Sequence, residues 1–188
     1  MPGNFSPSEA AARRVLVTGG ARSGKSAYAQ MLVEACGREP VYIATAQAQD
    51  AEMARRVSLH RQARGARWRL VEEPLDLVAT LAREAGANRA LLVDCLTLWL
   101  SNLMLAGRDA ARESETLATA LPRLAGAVVF VTNEVGSSIV PDNRLARDFR
   151  DAQGRLNQSM AAACDAAVLV VAGLPLVLKP VRQVLPGL

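Results

Sequence analysis

Residues 15–26 read Val15-Leu16-Val17-Thr18-Gly19-Gly20-Ala21-Arg22-Ser23-Gly24-Lys25-Ser26, an apolar β-branched run that passes directly into G-x-x-x-x-G-K-S. The segment that follows, Ala27 to Cys36, has the composition of a helix. Strand, glycine-rich turn and helix in that order form a phosphate cradle. Gly19 and Gly24 let the backbone turn so that successive N–H groups and the helix start face phosphate oxygens. Lys25 is expected to reach the β- and γ-phosphates, and the Ser26 hydroxyl to bind Mg²⁺. Lysine usage supports this, because Lys25 and Lys179 are the only lysines in a chain with 22 Lys and Arg together. A slim ammonium has been kept where a forked guanidinium would not thread the loop.

Outward from this motif, strand signals fall at Arg14 to Thr18, Val41 to Thr45, Trp68 to Val71, Ala90 to Asp94, Ala127 to Thr132 and Ala167 to Val171. Helical stretches separate most of them, at Ala27 to Cys36, Ala48 to Arg64, Leu75 to Ala85, Leu96 to Ala106, Ser114 to Leu124 and Asp142 to Cys164. The alternation predicts an α/β fold of the P-loop NTPase type, a mostly parallel central sheet with helices on both faces. A short last strand, Leu176 to Leu178, is expected to return beside Val168 to Val171 through the turn at Gly173 to Pro175. Residues 14–188 read as one catalytic domain, and residues 1–13 as a disordered extension. The ligand crevice is expected at the carboxyl ends of the strands.

Composition excludes several classes. At 51% hydrophobic residues the chain is globular. Its longest uncharged apolar stretch, Ala166 to Leu178, is broken by Gly173 and Pro175 and is shorter than the roughly 18 residues that suggest a membrane span. The first residues lack an apolar signal core, so a cytoplasmic location is expected. Cys36, Cys95 and Cys164 are widely spaced and read as reduced core thiols without metal-site spacing. Six arginines between Arg55 and Arg69 and a net charge of +4 could suit nucleic acid, but two Trp, two Tyr and three Phe leave little to stack bases on. No nucleic-acid partner is expected. The arginines are a solvated helix face or a grip on an anionic substrate.

Three further groups bear on chemistry. Ala90-Leu91-Leu92-Val93-Asp94 is an apolar strand ending in an acid, which places Asp94 as a second Mg²⁺ residue or as the cap of the next helix. His60, the chain's one histidine, is either a surface residue of an Arg-rich helix or a nucleophile towards phosphorus, since imidazole with a pKa near ~6.5 is largely neutral at pH 7. Thr132-Asn133-Glu134-Val135-Gly136, with Ile139 to Arg147 after it, is either a substrate loop or a capped turn in which Asp142 or Asn143 starts a helix.

These residues together resemble the bifunctional adenosylcobinamide kinase/adenosylcobinamide-phosphate guanylyltransferase family of cobalamin biosynthesis. The resemblance runs from Val15 to about Gly173 and rests on Gly19 to Ser26, Tyr42 to Thr45, the Met53 to His60 run, Trp68, Thr132 to Gly136, Ile139 to Asp151 and Gly154-Arg155-Leu156-Asn157-Gln158. It implies two reactions, phosphorylation of the corrinoid's aminopropanol hydroxyl from ATP or GTP, then transfer of GMP from GTP by way of a guanylyl-histidine. It also implies a homo-oligomer, often a trimer, and catalytic roles for Lys25 and His60. Nucleotide contacts would fall on Gly19, Gly20, Ala21, Arg22, Ser23, Gly24, Lys25, Ser26, Thr45, Ala46, Gln47, Arg61, Gln62, Ala63, Arg64, Glu72 and Asp94, with Mg²⁺ on Ser26 and Asp94. Some relatives have two adjacent histidines where this chain has Leu59-His60, and Glu where it has Asp94. A monofunctional small-molecule kinase would share the P-loop but have no use for His60; an NTP-driven switch or motor subunit would use Glu134 to position water.

Overall fold

The computed structural model describes residues 13–46 and 67–180. Its strands are β1 (Arg14–Thr18), β2 (Glu39–Ala44), β3 (Arg69–Glu72), β4 (Arg89–Asp94), β5 (Ala127–Val131), β6 (Ala166–Val171) and β7 (Leu174–Lys179). The helices are α1 (Lys25–Ala35), α2 (Leu77–Glu84), α3 (Leu96–Leu105), α4 (Ala110–Ala120) and α5 (Arg144–Ala163). The strands form one sheet in the order β3-β2-β4-β5-β1-β6-β7, parallel throughout except for β7 against β6.

Side chains of successive strand residues point to opposite faces, and the core divides accordingly. Leu16, Val41, Ile43, Leu91, Val93, Val128 and Phe130 pack in one cluster with Leu77, Leu81, Trp99, Leu103, Leu117 and Leu156 from α2 to α5. Val17, Tyr42, Leu92, Val129, Val131 and Val170 pack in the other with Ala29 and Val33 of α1. Each fully buried Leu or Val adds about 1.5–3 kcal/mol over its exposed state. Trp99, fully buried, satisfies its indole by donating to the Leu75 carbonyl at 2.9 Å.

The expected elements are present among the described residues, with shifted ends. The helix expected from Ser114 starts at Ala110, because the Asp109 side chain accepts from the Ala111 and Arg112 amides, and it ends in a 3-10 turn at Leu121–Arg123. Between the two candidates for the start of the long helix, Asn143 is the cap, accepting from the Ala146 amide at 2.7 Å. The expected helix Ala48 to Arg64 lies outside the described residues. Cys95 and Cys164 are buried, but Cys36 is exposed where α1 ends, a correction to the expectation of three core thiols. Burial pushes the two buried thiols up, Cys95 to about 11 and Cys164 to about 12, so neither is a ready nucleophile.

Strand β7 is longer than expected, and Leu174, Leu176, Val177 and Leu178 are exposed. Pro175 sits in it without disruption because β7 is an edge strand. Its far end is pinned by Lys179, whose Nζ donates to the carbonyls of Ala161, Ala162 and Cys164 at 3.0, 2.9 and 2.5 Å. This places a cation at the C-terminus of α5, where the helix dipole favours it. Lys179→Met keeps the stem and removes three charge-assisted bonds, so unfolding in urea should begin earlier by about 2 kcal/mol. An unchanged midpoint would show the ammonium to be worth no more than its hydration.

Candidate nucleotide-binding site

The strand registers align Glu72, Ala44, Asp94, Val131, Val17 and Val168 in one row across the sheet. The polar residues of interest begin in or just past this row, at the carboxyl edge. With neighbouring strands about 4.8 Å apart, Asp94 on β4 lies two strands, roughly 10 Å, from β1, and Glu72 on β3 lies four strands, roughly 19 Å, from it. Glu72 therefore shares the edge but does not join the loop.

The Gly19–Ser26 loop leaves β1 with Gly19 at φ 156°, Arg22 at 57° and Gly24 at 94°. At Gly19 a Cβ would lie 2.4 Å from the Val170 carbonyl oxygen, and at Gly24 3.1 Å from the Gly173 Cα. A side chain at Gly19 would collide with backbone, and one at Gly24 would be both crowded and strained by the positive φ. The loop is held on two sides: the Glu134 amide donates to the Gly19 carbonyl at 3.2 Å, and the Gly173 amide to the Ser23 carbonyl at 2.8 Å. Helix α1 then starts without a side-chain cap, unlike α4 and α5, which leaves its first amides facing the loop.

Lys25 is buried and donates to the Gly20 carbonyl at 3.0 Å. Burial lowers its pKa from the ordinary 10.5, against the raising influence of Cys95 and Asp94. Asp94 is half-buried and does not cap α3; its Oδ2 accepts from the Tyr42 hydroxyl at 3.0 Å. Ser26, on the first turn of α1, is half-buried as well. One serine hydroxyl and one carboxylate suit Mg²⁺, which takes one or two protein oxygens and completes its shell with phosphate and water. Among the described residues no group of three or more acidic, His or Cys side chains forms an all-protein metal cage.

Thr45 is fully buried, and its hydroxyl both donates to the Cys95 carbonyl at 2.7 Å and accepts from the Cys95 amide at 2.8 Å. Its carbonyl accepts from Asn102 at 2.8 Å. Thr45 thus fixes the chain after Asp94 instead of presenting a side chain to the crevice, while the half-buried Ala46 follows it at the edge. Gln47, His60, Arg61, Gln62, Ala63 and Arg64 lie outside the described residues. Sequence reasoning missed Tyr42 as the partner of Asp94 and the contact of the β6–β7 turn with the loop. A tyrosine two residues before a strand end was the available sign of the first; nothing in sequence signals the second.

Residues 15–178 match the family described as cobinamide kinase / cobinamide phosphate guanyltransferase. The chain is 50% identical over 169 residues to the bifunctional adenosylcobalamin biosynthesis protein CobP of Pseudomonas aeruginosa, covering 88% of this chain and 97% of that one. It is 42% identical over 182 residues to the bifunctional adenosylcobalamin biosynthesis protein CobU of Salmonella typhimurium, covering 88% and 99%. A solved ATPase of the type III secretion system of pathogenic bacteria superposes with a TM-score of 0.50 at 14% identity, over 84% of this chain and 50% of that one, a likeness of fold alone. No described helix is long and apolar enough to cross a membrane. With a phosphate loop and an acid aligned on one sheet edge, and a family match over nearly the whole length, the chain belongs to the cobinamide kinase/cobinamide phosphate guanyltransferase family.

Proposed function

We propose that this chain carries both activities of its family on the carboxyl edge of the sheet: phosphorylation of adenosylcobinamide by ATP or GTP, then transfer of GMP from GTP to the phosphate so formed. The observation that supports it most is the buried ammonium of Lys25, set at an uncapped helix start with Asp94 nearby in the sheet. The loop amides and Lys25 hold the triphosphate, and Ser26 and Asp94 hold Mg²⁺, which when bound offsets the phosphate charge. Gly19 to Ser26 would thus contact nucleotide directly, while Thr45 keeps Asp94 in register.

For the second reaction, family resemblance places the nucleophile on His60. Its imidazole lone pair would attack the α-phosphorus of GTP as the α–β bridging P–O bond breaks and pyrophosphate leaves. A phosphate oxygen of the corrinoid would then attack the same phosphorus, and the P–N bond would break with its electron pair returning to the imidazole. Arg61 and Arg64 would steady the leaving pyrophosphate and, with Gln47, Gln62, Ala63 and Glu72, contact the nucleotide. Self-association, as a trimer, accords with the exposed apolar side chains of β7. Sedimentation at micromolar concentration should show a species larger than the 20.0 kDa monomer; a monomer alone would remove this part of the reading.

Lys25→Ala should slow both half-reactions a hundredfold or more, as removal of one transition-state donor typically costs about 10²–10³ in kcat. Asp94→Asn should shift the Mg²⁺ titration to higher concentration, and superimposable titrations would remove Asp94 from the metal site.

His60→Ala should abolish guanylyl transfer and leave Mg-nucleotide binding intact. Withholding the corrinoid acceptor should let a GMP adduct accumulate on the parent protein, acid-labile and base-stable. Label from α-labelled GTP that stays covalently attached to the His60→Ala protein would refute the assignment.

A further inference from the structure

The Gly154 to Gln158 stretch of α5 has no part in the reactions above, yet its half-buried Asn157 belongs to a polar cluster whose other side chains are fully buried. Gln153 and Asn157 lie four residues apart on α5 and so on one helix face. Gln153 and Thr132 are both fully buried. The Thr132 hydroxyl donates to Asn157 Oδ1 at 2.7 Å, and Gln153 Nε2 donates to Thr132 Oγ1 at 2.9 Å and to Asn157 Oδ1 at 2.8 Å. Asn157 Nδ2 in turn donates to the Asn133 carbonyl at 3.0 Å. Gln153 Oε1 is buried without a hydrogen-bond partner among the described residues.

Such a cluster is costly beside the apolar Leu156 and Met160, and one unpaired oxygen makes it more so. What it holds is backbone that has just left the sheet. Strand β5 ends at Val131, and the next three residues are tied to four different elements. The Thr132 amide donates to Val17 of β1 at 3.0 Å, the Asn133 amide to Thr97 Oγ1 of α3 at 2.8 Å, and the Glu134 amide to Gly19 of the phosphate loop. The Asn133 carbonyl is the fourth tie, to α5. Because β5 lies between the strand that enters the phosphate loop and the strand that ends in Asp94, this segment borders the space where nucleotide and acceptor must meet.

We infer that Gln153 and Asn157 are positioning residues, which act through Thr132 and Asn133 to fix the Asn133–Glu134 segment against the phosphate loop for phosphoryl transfer. The inference rests on the kinase reading given above. On that reading the loop amides and Lys25 hold the nucleotide, and the side chains of the cluster contact none of them directly, so its loss should lower turnover far more than binding.

The test compares parent enzyme with Gln153→Met, Asn157→Leu and the near-isosteric Thr132→Val. Steady-state phosphorylation of adenosylcobinamide and calorimetric binding of Mg-nucleotide are measured on each. In the folded variants kcat should fall tenfold or more, while nucleotide KM and Kd stay within threefold of the parent. Unchanged kcat would overturn the inference, as would a rise in Kd matching the fall in kcat, or failure of all three variants to fold. A parent that binds Mg-nucleotide but phosphorylates no corrinoid would instead overturn the kinase reading, and the positioning role with it.

Discussion

Everything at the carboxyl edge depends on how closely the phosphate loop is wedged between two backbones. On one side the β6–β7 turn reaches it through Gly173, and on the other the end of β5 reaches it through Glu134. The wedge works only because Gly19 and Gly24 have no side chains, since a Cβ on Gly19 would lie within 2.4 Å of a carbonyl oxygen. Arg22, a non-glycine residue at φ 57°, adds a local cost of roughly 1–2 kcal/mol. Backbone hydrogen bonds on both flanks offset that cost, so the loop is shaped in advance and little ordering is left for a ligand to impose.

Strand order turns that local shape into a site. Had β4 paired directly with β1, Asp94 would lie one strand spacing, about 5 Å, from the start of the loop. The insertion of β5 doubles the gap to roughly 10 Å, room for a phosphate and a hydrated cation between the loop and the carboxylate. Tyr42 and Thr45, both from β2 and its end, then fix Asp94 and the residue after it from the far side. The polar row is therefore braced from both flanks, by β2 towards Asp94 and by α5 towards Asn133.

Much of this was legible in the sequence, for identifiable reasons. The β1–loop–α1 unit is local, its glycines and lysine set at fixed spacing, so the sequence determines it without knowledge of the rest. Parallel strands buried on both faces, such as Ala90 to Asp94, read as apolar runs, and a terminal acid stands out against them. Strand order is not local: nothing in Ala127 to Thr132 says that it will separate β1 from β4. For the same reason the asparagine and glutamine of α5 look like an ordinary polar face until β5 is laid beside them. Cys36 misled because apolar neighbours in sequence do not fix which side of a helix end meets solvent. The exposed apolar side chains of β7 follow from its place at the sheet's edge, which its composition conceals.

The two lysines show how one side chain serves two ends. Both are inserted against backbone carbonyls, and both carry three N–H donors. Lys179 commits all three, to Ala161, Ala162 and Cys164, and so acts as a fixed cap on α5. Lys25 commits one, to Gly20, and is more deeply buried, with its pKa lowered. A buried cation with one hydrogen bond among the described residues is unfavourable by itself, and an anion beside it would relieve that cost while Asp94 relieves only part. On the proposed reading, a phosphate would complete an ammonium that the fold has buried and that bonds one carbonyl among the described residues.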